Sequence, residues 1–134
     1  MKEDIFIPHV DNIGVAVTLE ENELGTEEWN VYLINYKNQI INNVLVSSKG
    51  YGVKDGKQIK TSTLTHFFEE IGAHEFKLIE PITEEVFGIT NEYFITFYID
   101  GIIHDKKFIF LPEAIQKNNL IDINILEKKG VLIK

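Results

Sequence analysis

"NVLVSSKGYGVKDGKQIKTSTLTHFF", residues 43–68, sets the dipeptide Asp55-Gly56 between two alternating segments. A tight type I′ hairpin turn needs two residues that tolerate positive φ, and Asp-Gly supplies them. Pairing Lys54 with Lys57 carries the register outward, placing Ser47 opposite Leu64, Val46 opposite Thr65 and Val44 opposite Phe67. Apolar residues then meet across the ladder on a consistent face, as a fixed register requires. The same stretch concentrates Gly50, Gly52 and Gly56 among lysines, which raises a phosphate loop as the competing reading. A P-loop reads G-x-x-x-x-G-K-[ST] and opens a helix. Here three residues separate Gly52 from Gly56, Gln58 follows Lys57, and the next residues are β-prone. The dinucleotide fingerprint fails on the same spacing and the same missing helix. The stretch reads as a hairpin in which Gly50 and Gly52 mark a bulge or a close approach of neighbouring backbone.

The device recurs in "NEYFITFYIDGIIHDKKFIFLP", residues 91–112, where Asp100-Gly101 faces Ile99 with Ile102 and Tyr98 with Ile103. A turn at Asp105-Lys106 is the alternative, with Asp100-Gly101 then a bulge. In "EWNVYLINYKNQIINNVLV", Trp29, Val31 and Leu33 share one face and Tyr32, Ile34 and Tyr36 the other. With "NIGVAVTLE" and "HEFKLIEPI" this gives about seven strands at sandwich spacing. Residues 62–72 carry two readings. Leu64, Phe67, Phe68 and Ile71 fall on an amphipathic helix template with Ser62 as cap, while the threonines and the hairpin register favour strand. "LPEAIQKNN", with Pro112 placed for a first turn, predicts a short C-terminal helix, and Thr83-Glu84-Glu85 a single turn.

The 134 residues suit one domain over 1–134, with a core of 13–111 and a helix and tail of 112–134. Isoleucine, nine phenylalanines and five tyrosines favour strands. A formal charge of −8, with no arginine in the chain, argues against nucleic acid as a partner. The opening "MKEDIFIPHV" lacks the basic start and apolar run of an export signal, and no stretch approaches a membrane span. With no cysteine, disulfides, thiolate catalysis and cysteine-ligated zinc are excluded. The expectation is a cytoplasmic protein without a cofactor.

"WNVYLINYKNQIINNVLVSS", residues 29–48, resembles the paired B and C strands of immunoglobulin-like sandwich domains, with Asn35 ending the first strand and Asn43 preceding the apolar pair of the next. "EIGAHEFKLIE" is similar to the turn and strand that follow. The resemblance spans residues 13–111 and implies an all-β, immunoglobulin-like antiparallel sandwich. The missing Cys-Trp-Cys pattern sets antibody-type domains aside. Taken whole, the chain also resembles a small bacterial family, some of whose members carry the label of a phenylalanyl-tRNA synthetase alpha subunit. Nothing in these residues supports that activity.

Candidate sites are few. His66, Glu70 and His74 lie close enough in sequence to suggest a metal cluster, but they lack the H-E-x-x-H helical spacing. Adjacent carboxylates such as Glu20-Glu21 and Glu69-Glu70 point to opposite faces of a strand and do not converge. No G-x-S-x-G elbow and no calcium loop is present. These absences turn the reading from catalysis to interaction. The hairpin of Tyr93, Phe97 and their neighbours is apolar on both faces, so one face needs cover from the tail, a second copy or a ligand. Tyr93 also suits a tyrosine corner. The tail, with Leu120, Ile123, Val131 and Ile133 about a Lys-Lys-Gly break, either docks on its own fold or enters a partner by strand addition. The expected function is a protein-interaction module using a strand edge, the aromatic face or the tail. A small-molecule or metal-binding domain, an unrecognised enzyme and a structural homo-oligomer are the alternatives.

Overall fold

The computed structural model describes residues 8–134. The opening that was read for an export signal therefore lies largely outside the described residues. Ten strands follow one another: β1 (Ile13–Glu21), β2 (Glu27–Asn35), β3 (Ile41–Lys54), β4 (Lys57–Lys60), β5 (Leu64–Ile71), β6 (Phe76–Ile82), β7 (Thr90–Ile99), β8 (Ile102–Phe110), β9 (Ile121–Ile123) and β10 (Lys128–Ile133). They form two antiparallel sheets. The first runs β6-β2-β1-β10-β9; the second runs β4-β3-β7-β8, with β5 also on β3.

The period-2 pattern builds the core. Val15 and Val17 of β1 with Trp29, Val31 and Leu33 of β2 meet Val44, Val46, Tyr93, Ile95, Phe97, Phe108 and Phe110 from the second sheet in one apolar cluster. The other face of β2, Tyr32 and Ile34, packs with Ala16, Ile123 and Leu126 in a second cluster. The tail thus docks on its own fold, as an extension of the first sheet beyond β1 and as cover for its outer face.

Both Asp-Gly hairpins form. Lys54 pairs with Lys57 and Ile99 with Ile102, and Asp55 and Asp100 adopt the positive φ that the turn requires. Residues 64–71 are strand, and Glu84–Val86 is a single 3₁₀ turn. The register expected beyond the first hairpin is off by one. Val46 faces His66, Val44 faces Phe68 and Ser47 faces Thr65. The cause is an extra residue between β4 and β5: Thr61 returns a hydrogen bond to Gly50, and the ladder resumes only at Leu64 opposite Ser48. A one-residue slip exchanges the two faces of a strand. His66 and Phe68 therefore point inward, and Phe67 points out.

The expected C-terminal helix is absent. Between Leu111 and Leu120 there is one 3₁₀ turn, Lys117–Asn119, because Glu113 is left-handed and Gln116 fully extended. This irregular path lets Ile115 reach the core cluster and gives the Glu113 N–H to the Phe87 carbonyl. The expected break at Lys128-Lys129-Gly130 is also absent; β10 runs through it, and the turn lies earlier, at Asn124 to Glu127. With β4 split from β5 and the tail adding two strands, ten strands stand where about seven were expected.

Candidate functional site

The residues singled out by sequence go to separate places. His66 lies on β5 facing inward, Glu70 is exposed at the end of the same strand, and His74 sits in the following turn at positive φ with Nε2 2.6 Å from Asn38 Oδ1. Among the described residues no three His, Asp or Glu side chains gather as a metal site. Tyr93 and Phe97 are fully enclosed in the core, Ile123 is buried, and Leu120, Val131 and Ile133 pack against the core cluster. Tyr93, Phe97 and Ile123 are thus enclosed by the fold, and Leu120, Val131 and Ile133 are half-buried against it.

A different constellation forms where the edge strands β5 and β6 leave the two sheets apart. Glu80 of β6 points across this gap and collects hydrogen bonds from the second sheet. The Ser48 hydroxyl reaches Oε1 at 2.9 Å, the Tyr93 hydroxyl reaches Oε2 at 3.1 Å, and His66 Nε2 lies 2.8 Å from Oε1. With an ionised carboxylate as acceptor, this contact takes the His66 form that carries a proton on Nε2. Burial, and then the neighbouring Glu80 charge, push the Tyr93 hydroxyl well above its ordinary pKa and keep it a donor. Tyr93 thus spends its hydroxyl on a carboxylate across the sandwich and not on the local backbone, where a tyrosine corner would place it.

Above Glu80 opens a cleft of about 300 Å³, lined from the β6 side by Pro81, Ile82 and Val86. Ser48, Gly50, Thr61, Ser62 and Leu64 line it from the second sheet, so the glycine-rich stretch that fails as a phosphate loop lines the cleft. Its glycines have a packing reason. A Cβ at Gly52 would lie 3.1 Å from Ile89, and one at Gly50 would crowd Ile89, Thr61 and Asn91. Ser48, His66 and Glu80 have the residue types of a hydrolytic triad but not its order. Both Ser48 and His66 point at the carboxylate, and nucleophilic catalysis needs the base on the hydroxyl.

The second feature is the outer face of the second sheet. Leu45 pairs with Phe67, and Phe94, Ile103 and Ile109 are further apolar residues of the same face on β7 and β8; Phe67 is 59% and Ile103 48% exposed. Polar residues interleave with these: Thr96 and Asp105 lie between Leu45 and Ile103 on the same face, and Ser47 and Lys107 flank Phe94. Glu92 accepts from the Tyr51 hydroxyl at 3.1 Å, with Lys49 and Lys107 at 3.9 and 4.0 Å. The Glu92 hydrogen bond, followed by a smaller desolvation effect, raises the Tyr51 pKa.

Sequence reasoning missed Glu80 and Ser48. The available signal was Glu80 alternating with inward Ile82 and standing directly before Pro81, a residue that central strands exclude. No protein-family model, no curated protein and no solved structure matches this chain. Among the described residues no helix is long and apolar enough to cross a membrane.

Proposed function

We propose that the protein is a non-catalytic, cytoplasmic protein-interaction module of immunoglobulin-like type that docks through the outer face of β5, β3, β7 and β8. The observation that carries this is the absence of cover on that face. The tail lies on the opposite side of the molecule, leaving Leu45, Phe67, Phe94, Ile103 and Ile109 exposed together. Several large apolar side chains exposed on one sheet face, set among polar ones, mark an interaction site. The occupant is a partner protein presenting an apolar patch with a basic rim, because the chain carries −8 and steers positive surfaces toward itself. The immunoglobulin-like part is supported by connectivity. Strands β1, β2 and β6 follow the order of A, B and E, while β4 with β5, β3, β7 and β8 follow C′, C, F and G.

The test compares the full chain with a Phe67→Ser/Ile103→Ser variant, first for retained fold by thermal unfolding and then for capture from cytoplasmic extract. The module reading expects a stoichiometric partner, weakened by salt and lost in the variant. Equal capture by both forms overturns it. Sedimentation of the purified chain covers the other occupant: a mass that doubles with concentration and reverts in the variant makes the partner a second copy. A second reading, a small-ligand binding domain, is favoured by the cleft over Glu80.

A further inference from the structure

The cleft between β5 and β6 has a specific chemical character, distinct from that of the docking face. Its one charged group from the interior is Glu80, whose side chain is only 12% exposed. Among the described residues no lysine pairs with this carboxylate; its partners are two hydroxyls and the His66 ring. Lys49 also lines the cleft, but its Nζ lies 3.9 Å from Glu92 on the outer face and is not paired with Glu80. A carboxylate offers about four lone-pair positions, and the three hydrogen bonds leave one free on Oε2. The remaining position of this largely buried carboxylate is open to one further donor, and a positively charged donor makes the strongest hydrogen bond there. Pockets that bind small molecules combine mainly apolar walls with a few convergent polar groups. Leu64, Pro81, Ile82 and Val86 around Glu80 have that composition.

The geometry points to a binding site for a small organic cation, an ammonium on an apolar body, with the ammonium on Glu80 Oε2 and the body against Leu64, Pro81, Ile82 and Val86. Size limits the ligand. The cleft holds about ten water volumes, which admits a single ring or short chain. Ser48, His66 and Tyr93 act as positioning residues, since their hydrogen bonds fix the carboxylate between the sheets before any ligand arrives.

The test uses three probes of one shape, benzylammonium, benzyl alcohol and benzoate, titrated into the ¹⁵N-labelled full chain and read by amide chemical shifts. Benzylammonium is expected to shift Gly50, Ser62 and Leu64 saturably. Benzyl alcohol should bind at least about tenfold more weakly, the equivalent of one lost charged contact. Benzoate should not bind. Glu80→Gln is expected to weaken benzylammonium by about tenfold or more. Because Glu80→Gln also disturbs the contacts between sheets, Ser62→Trp supplies the second variant: it fills the mouth of the cleft from an exposed position and leaves the Glu80 hydrogen bonds in place. Loss of binding in Ser62→Trp, with unchanged thermal unfolding, supports the site. The proposal is overturned by the absence of any saturable benzylammonium shift, by equal affinity for benzyl alcohol, by tighter binding of benzoate, or by wild-type affinity in Ser62→Trp.

Discussion

Asn35 closes the end of β2 with its whole amide. Nδ2 donates to the carbonyls of Gln39, Ile71 and Gly72, and Oδ1 accepts the Lys37 N–H, all in a fully buried position. Asn35→Ala leaves those groups without a partner and should lower stability by about 2–3 kcal/mol in urea unfolding. Glu20 does comparable work on the outer face of the first sheet. Its Oε2 accepts from Thr18, Asn30 and Tyr32, and Lys128 sits 3.2 Å from Oε1. Desolvation pushes its pKa up, but these four partners together outweigh it and hold the carboxyl below the ordinary range. A folded-state pKa below the unfolded value stabilises above the unfolded pKa, and that contribution is lost as pH falls through the folded value. Glu20→Gln should therefore destabilise near neutrality, and the gap from wild type should close below about pH 4 in thermal unfolding. Sequence singled out Asn35 by resemblance and read Glu20-Glu21 as a divergent pair, which it is. Why Glu20 would meet three donors was not legible, because they come from its neighbour in the sheet and from two residues back in its own strand.

At the scale of elements, local turn chemistry was readable and its interruptions were not. Asp55-Gly56 and Asp100-Gly101 need no tertiary help to declare a turn. The extra residue between Thr61 and Thr63 lies in a run of hydroxyl residues that suits a continuous strand equally well, so its effect on register was invisible until Ser48 met Leu64. The short C-terminal helix failed for a similar reason: burial of Ile115 outweighed the local preference. Lys128-Lys129-Gly130 looked like a break because glycine weakens strands. Here it is a close-approach position, where a Cβ would lie 2.7 Å from the Val17 carbonyl oxygen and 3.2 Å from Thr18 Cα. Gly130→Ala should push β10 off β1 and lower stability by about 1–3 kcal/mol, with amide exchange rising first in β9 and β10.

Across the whole molecule the two outer faces have different fates. The first sheet is partly covered by its own tail, through Ile123 and Leu126, with Phe76 and Leu78 exposed at its β6 edge, whereas the tail does not reach the second. Each buried aliphatic side chain contributes about 1.5–3 kcal/mol, and a domain has only about 5–15 kcal/mol in total. Truncation after Asn119 removes Ile123, Leu126 and strand β10, so it should abolish cooperative unfolding and not merely an interaction. Docking face and cleft share one origin, the single-residue offset that turns Phe67 out and His66 toward Glu80. The chain contains no cysteine, so that offset can be measured directly by paired cysteines. Directly opposed residues in an antiparallel pair have Cα atoms about 4.5–5.5 Å apart, within disulfide range. Oxidation of a Leu45→Cys/Phe67→Cys variant should close an intramolecular disulfide, while Leu45→Cys/His66→Cys, the uninterrupted hairpin register, should remain reduced. The opposite result would place Phe67 inside and His66 outside, and would contradict both the docking face and the cleft.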